Sequence, residues 1–323
     1  MIVEELSKKV MDGYTPSKND MLELLDVPIN RLSCHADRLR RHFCQDNFDV
    51  CTIINVKSGN CSEDCKFCAQ SAYYDTHITQ YPLLSNEKLK KQTLDVYGQG
   101  LKRISYVSSG PRLNDDEFKR IAEVITGIKN KHSDIYLCVS LGKLNKLQVQ
   151  KLKDAGVDRI HNNLETSKTY FASVCSTHTY QDKLDTIKHI DNSHMKICSG
   201  GIFGIGESWK DRIDLALQLR RLNVQSIPIN ILNPIKNTPL ENNTVLSNEE
   251  TCRIIAIYRF INPQAYIRLA GGRLLLEDNG RKAFRSGSNA AILGNMLTTS
   301  GPSYESDIKM IKELGYKISE NNI

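Results

Sequence analysis

Residues 103–108 read RISYVS, residues 115–129 read DDEFKRIAEVITGIK, and residues 135–141 read IYLCVSL. The first and third are short apolar runs of the kind that fill strands buried on both faces, and the stretch between them has an amphipathic, helix-like pattern. A strand, a helix and a second strand in succession make a parallel pair joined by a right-handed crossover. Further strand-like runs lie at residues 51–56 (CTIINV), 157–162 (VDRIHN), 195–200 (MKICSG), 226–232 (SIPINIL), 266–271 (YIRLAG) and 289–294 (NAAILG). Helix-like segments at 85–99, 144–155, 180–191, 211–222 and 247–261 separate most of them, and two shorter helices are expected near the end.

Alternation of this kind implies an α/β protein, and a count near eight strands closes the sheet into a (β/α)8 TIM-type barrel. An open doubly wound sheet is the alternative, but the glycine-rich dinucleotide loop expected after its first strand is absent. The first 45 or so residues are polar and helix-rich, with DMLELL at 20–25 as one apolar-periodic piece. We therefore expect a helical N-terminal extension over 1–45 and one barrel domain over 46–323, without internal repeats or low-complexity linkers. In such a barrel the active site lies at the C-terminal ends of the strands.

Composition narrows the function classes. The 43 basic and 37 acidic side chains give a net charge of +6. They are scattered, with few aromatics near them, which argues against nucleic-acid binding. No stretch approaches the roughly 18 apolar residues needed to span a bilayer, so no membrane association is expected. The start, Met1-Ile2-Val3-Glu4-Glu5, is acidic where a secretory signal is basic, which leads us to expect a cytoplasmic protein. Ten cysteines in such a chain point to metal or redox chemistry rather than to disulfides.

Three of them fall in Cys61-Ser-Glu-Asp-Cys65-Lys-Phe-Cys68, just after the first strand. Thiolates this close converge on one small centre when the chain folds back, and Ser, Glu and Asp favour such a loop. A structural zinc site normally closes with four protein ligands in two separated pairs, which this run does not supply. A cubane iron-sulfur cluster takes one thiolate per iron, so three cysteines leave one iron open for chemistry.

The C-x-x-x-C-x-x-C spacing resembles that of the radical S-adenosylmethionine enzymes. Further stretches resemble the biotin synthase family within that group, from about Ala36 nearly to the C-terminus: residues 161–166 (HNNLET), Cys198-Ser199-Gly200-Gly201, 200–207 (GGIFGIGE), Pro228-Ile229-Asn230 and Tyr266-Ile267-Arg268-Leu269. The resemblance implies an enzyme, a sulfurtransferase of the biotin biosynthesis route. It would hold a 4Fe-4S cluster on Cys61, Cys65 and Cys68, reduce S-adenosylmethionine to a 5'-deoxyadenosyl radical, and convert dethiobiotin to biotin with sulfur from an auxiliary 2Fe-2S or larger cluster. Phe67 matches the family's aromatic position near the adenine. Asn163, Glu165, Lys183, Gly200 and Gly201 become candidate cofactor contacts, and Asn163 and Asn230 candidate substrate contacts. The family usually has Asp at the position of Glu165 and Arg at that of Lys183; lysine keeps the charge without the two-pronged geometry.

Arg268 lies inside an apolar strand-like run, where an unpaired guanidinium is costly, so it needs a partner. By resemblance Arg268, Cys138 and Cys198 are ligands of the auxiliary cluster, with Cys198 and Arg268 at the point of sulfur transfer. Ser105 falls where the family usually has a third cysteine, and a serine alkoxide is a poor partner for iron in a sulfide cluster. Either Ser105 ligates, the cluster differs in composition, as in an anaerobe-associated subgroup carrying serine here, or Cys51 or Cys175 substitutes; Cys44 is a poorer choice. Alternatives to this function are a related radical maturase or mutase of the same barrel group, and a non-catalytic iron-sulfur or zinc binding protein. The resemblance further implies a flavodoxin- or ferredoxin-type electron donor and a homodimer.

Overall fold

The computed structural model describes residues 2–299 and 301–318. Its centre is a parallel barrel of β1 (Asn47–Lys57), β2 (Arg103–Ser108), β3 (Tyr136–Ser140), β4 (Arg159–His161), β5 (Lys196–Cys198), β6 (Gly201–Phe203), β7 (Ser226–Ile231), β8 (Tyr266–Leu269) and β9 (Ala290–Ile292). Neighbouring strands pair in chain order, and β9 returns to β1 through Asp49↔Ala290, Val50↔Ala291 and Cys51↔Ile292. β5 and β6 act as one interrupted strand beside β7, so the closed ring has the eight positions expected from the sequence. All eight strand-like runs became strands.

The connecting helices are α4 (Asn86–Gly98), α5 (Asp115–Lys129), α6 (Lys146–Asp154), α7 (Tyr180–Asn192), α8 (Trp209–Arg221), α9 (Asn248–Ile261), α10 (Arg281–Phe284) and α11 (Tyr304–Glu313). Their starts are fixed locally. Asn114, Asn145, Thr179 and Ser208 each accept from the backbone N–H three residues on, while Glu117, Gln148, Asp182 and Asp211 reach back to the cap. These reciprocal bonds satisfy N–H groups that have no partner inside the helix. Isoleucine, leucine and valine on the inner helix faces and outer strand faces merge into one continuous core.

Three helices precede the barrel: α1 (Ile2–Met11), α2 (Lys18–Glu23) and α3 (Ile29–Cys44). α3 packs against α9 and α1 against α3, burying Leu32, Ala36 and Leu39. A last short strand, β10 (Lys317–Ile318), pairs with the beginning of β1.

The barrel interior departs from the usual filling by branched apolar side chains. Asp49, Arg103, Arg159 and Arg268 are all buried, and Asp49 accepts from each of the three arginines. This polar layer forms the floor of the site.

Candidate active site

A cavity of about 420 Å³ opens at the C-terminal ends of the strands. Cys61, Cys65, Phe67 and Cys68 line one side of it, and Cys51, Ser105, Cys138, Cys198 and Arg268 line the bottom. Apolar side chains, among them Ile53, Val107, Ile202, Ile231 and Leu232, fill much of the remaining wall.

The cysteine loop leaves β1 and turns back on itself. Cys61 N donates to Gln70 O at 3.0 Å, Ala72 N to Cys61 O at 2.8 Å, and Cys68 N to Cys65 O at 2.9 Å. Ser71 Oγ donates to Glu63 O at 2.7 Å, and Gly59 N donates to Gln70 Oε1 at 3.1 Å, tying both arms together. Burial pushes the Cys68 thiol up to about 11; a hydrogen bond with Cys175, together with burial, raises that of Cys65. Cations that replace these protons are the natural partners of such thiols. Phe67 packs near Val174, Ile205 and Leu232 and still borders the cavity.

Opposite the loop, Asn163 Oδ1 accepts from Gly200 N at 2.9 Å, and Asn163 Nδ2 donates to Glu165 Oε2 at 3.2 Å. Lys183 Nζ stands 4.0 Å from Glu165 Oε1. Glu165 has φ +67°, a left-handed conformation uncommon outside glycine, which turns its side chain back toward the cavity wall. Asn230 Nδ2 donates to Gly201 O at 3.0 Å, and its Oδ1 accepts from Gly271 N at 3.0 Å. Each amide therefore uses two of its four hydrogen-bonding sites on the scaffold and keeps others for a ligand. Burial pushes the imidazole of His161 down to about 4, which keeps it neutral beside them.

At the floor, Ser105 lies between Ile53 and Cys138 in the register of β1, β2 and β3. The thiols of Cys51 and Cys138 share a hydrogen bond that favours the Cys138 thiolate and raises Cys51, and Arg103 and Arg159 stabilise the Cys138 charge further. Cys198 Sγ donates to Ser226 Oγ at 3.5 Å, the same hydroxyl that Arg268 Nε reaches at 3.4 Å. The partner required by Arg268 is Asp49; Arg268 Nη1 also donates to Ala291 O at 2.8 Å. Burial opposes the charge on Arg268, and Asp49 together with Cys51 and Cys198 more than reverses that effect. Arg159 Nε and Nη2 are buried and have no partner among the described residues. One carboxylate against three guanidiniums leaves the floor cationic, so an anionic group such as an iron-sulfide cluster on thiolates fits it.

Two of the sequence expectations change here. Cys175 does not join the floor: it hydrogen-bonds to Cys65 beside the cysteine loop, whereas Cys51 is the thiol that meets Cys138. Cys44 is also remote, 3.6 Å from Pro263 O at the opposite end of the barrel wall. Gly200 and Gly201 do not line the cavity. A Cβ on Gly200 would lie 2.0 Å from Pro228 O, and one on Gly201 would lie 2.5 Å from Glu165 O, so their bareness serves strand-to-strand approach. Sequence reasoning missed Asp49, Arg103 and Arg159. Asp49 carried the same signal as Arg268, a charge within an apolar strand (NFDVCTIINV), but lay just outside the run taken as the strand.

Residues 55–219 match the Radical SAM superfamily, and residues 228–317 match the Biotin and Thiamin Synthesis associated domain. The chain is 49% identical to the biotin synthase of Brachyspira hyodysenteriae over 316 residues, covering 98% of this chain and 95% of that protein. It is 49% identical to the biotin synthase of Clostridium botulinum (strain Loch Maree / Type A3) over 311 residues, covering 96% of this chain and 98% of that protein. Among solved structures, methylornithine synthase superposes with a TM-score of 0.85 at 19% identity, covering 97% of both chains. A maturase of the FeFe-hydrogenase superposes with a TM-score of 0.84 at 15% identity, covering 99% of this chain and 76% of that one. These two likenesses establish the barrel.

Proposed function

The chain belongs to the biotin synthase family, and from that premise we propose how its residues serve the family's reaction, insertion of sulfur into dethiobiotin to give biotin. Membership implies a 4Fe-4S cluster and S-adenosylmethionine. When bound, these supply the 5'-deoxyadenosyl radical that opens C–H bonds, and a second cluster supplies the sulfur.

Cys61, Cys65 and Cys68 hold the first cluster. Lys183 would face the cofactor's carboxylate, while Glu165 and Asn163 would take its ribose hydroxyls and Phe67 would lie against the adenine. Asn163 and Asn230 orient the ureido ring of dethiobiotin with the hydrogen-bonding sites they do not spend on the scaffold. The apolar walls exclude water from the reacting carbon. Cys138, Cys198 and Cys51 hold the second cluster; Cys51 stands in for the thiolate absent at Ser105. Arg159, whose Nε and Nη2 have no partner among the described residues, would donate to it, and hydrogen bonds of this kind help set cluster potentials. Arg268 lies at the same floor, where it would serve as a further ligand of that cluster, and Asp49, which accepts from it, positions its guanidinium. A flavodoxin- or ferredoxin-type donor, a homodimeric assembly and a cytoplasmic setting complete the proposal.

The observation that carries this reading is that one cavity is bordered by both sets of cysteines, so a molecule lying in it reaches both. The test is anaerobic reconstitution followed by S-adenosylmethionine, a strong reductant and dethiobiotin, with 5'-deoxyadenosine and biotin measured by mass spectrometry. Both products are expected. Deoxyadenosine without biotin removes the sulfur-transfer assignment; neither product, with the first cluster intact, removes the radical chemistry. In the same preparation Cys51→Ser is expected to lose the iron and sulfide of the second cluster alone, and Cys175→Ser to keep them. The reverse pattern transfers the ligand role to Cys175.

A further inference from the structure

Beside the cysteine loop, the segment Cys175-Ser176-Thr177-His178 presents two metal-binding side chains that neither cluster uses in the reading above. Cys65 Sγ, Cys175 Sγ and a ring nitrogen of His178 all lie within 4.8 Å of one another. Ligand atoms around a single tetrahedral ion stand roughly 3–4 Å apart, given bonds of about 2.0–2.3 Å, so a small inward movement of these side chains closes the set. The Cys175 Sγ to His178 Nδ1 distance is already 3.1 Å.

The surroundings hold the three in place. Asp64 Oδ1 accepts from Cys175 Sγ at 3.1 Å, Ser176 N at 2.9 Å and Thr177 N at 3.2 Å, which fixes the turn that carries Cys175. Glu63 Oε2 meets His178 Nδ1 at 2.6 Å. The same Nδ1 faces Cys175 Sγ, so Glu63 holds the imidazole in place in the ion-free chain and gives that nitrogen up when an ion binds. His178 Nε2 is buried without a partner among the described residues, and the His178 side chain is 5% exposed while bordering the cavity.

We propose that Cys65, Cys175 and His178 form a binding site for one thiophilic divalent cation, Zn²⁺ or Fe²⁺, in the chain before its first cluster is assembled. Two thiolates and an imidazole suit such ions, and three protein ligands leave a fourth position open to water. Binding releases the two thiol protons to solvent and changes no oxidation state. The consequence rests on the assignment of Cys65 to the first cluster: one thiolate cannot serve both centres, so a cation here and a cluster on the loop exclude each other.

The test uses the full-length, cluster-free chain with its thiols reduced, titrated anaerobically with Co²⁺ as a spectroscopic probe and then back-titrated with Zn²⁺. One Co²⁺ per chain is expected, with tetrahedral d–d bands and thiolate charge-transfer intensity for two sulfurs, displaced by Zn²⁺. Cys61→Ser and Cys68→Ser should retain this spectrum; Cys175→Ser and His178→Gln should abolish it. Retention of the spectrum in Cys175→Ser, or its loss in Cys61→Ser, places the ion in the three-cysteine loop and overturns the proposal. Iron-sulfide reconstitution of Cys175→Ser to the wild-type content of the first cluster verifies that the variant folds. In the wild type, prebound Zn²⁺ should slow that reconstitution, and in Cys175→Ser it should not; equal rates in both overturn the exclusion. None of these readings depends on biotin formation, so they stand or fall apart from the assigned reaction.

Discussion

Asp49 shows how much of this site depends on one side chain. It is fully buried, yet its carboxyl is kept ionised: burial raises its proton affinity, and Arg268, Arg103 and Arg159 together reverse that. Removing one member of a buried ionic group leaves uncompensated charge and typically costs about 3–5 kcal/mol. Asp49→Asn, nearly equal in volume, is therefore expected to lower the urea unfolding free energy by about that amount in the cluster-free chain; a loss below about 1 kcal/mol would mean that the arginines find other partners. Part of this was legible beforehand, since Arg268 demanded a counter-charge from its sequence context alone. Its partner was not, because it lies 219 residues away and only barrel closure brings the two together. The same holds for the cysteines: Cys61, Cys65 and Cys68 announce themselves by contiguity, whereas Cys51 and Cys175 separate only when the fold puts one beside Cys138 and the other beside Cys65.

Among the elements, strands β1 to β5 and β7 to β9 could be read from composition because burial on both faces leaves unbroken apolar runs. β6 and β10 could not: β6 is set among Gly200, Gly201, Gly204 and Gly206, which break up any apolar run, and β10 has only two residues. The break between β5 and β6 is a place of close backbone approach. Gly200→Ala sets a methyl group 2.0 Å from Pro228 O, so β5 and β7 must part. Overpacking of this kind costs about 1–3 kcal/mol, and we expect a lower midpoint of thermal unfolding together with weaker retention of the second cluster, measured by iron and sulfide content. The contact between α1 and α3 carries a pH dependence. His35 is mostly buried beside Glu4, with Nε2 3.7 Å from Glu4 Oε1. Burial lowers its proton affinity below the ordinary 6.5, Glu4 offsets part of this, and Arg38 and Arg31 add to the lowering. The unfolded chain thus binds the proton more readily, so this contribution to stability is intact above pH 6.5 and is lost as pH falls from there through the lower folded value. Thermal unfolding at pH 5.5 and 7.5 should show the decrease, and His35→Gln should reduce it.

For the whole molecule, closure by β9 and β10 on the two margins of β1 makes the barrel depend on its last residues. Deleting everything after residue 289 removes β9, α11 and β10 and strips pairing from the strand that bears Asp49 and Cys51. Such a chain is expected to show no single cooperative transition in urea and to bind a hydrophobic dye; cooperative unfolding like that of the full chain would show that β1 to β8 are self-sufficient. The connectivity also sets a timetable. At about 5–20 residues per second, the ribosome makes Arg268 roughly 10–40 s after Asp49. The nascent β1 exposes an acid and a thiol until Arg103, Cys138 and Arg159 have followed it, the set is completed only with Arg268, and pairings this distant in sequence are slow to form even afterwards. The polar floor is thus among the last parts of the protein to come into being, and any iron delivered to it must enter through the mouth of a barrel whose synthesis is already finished.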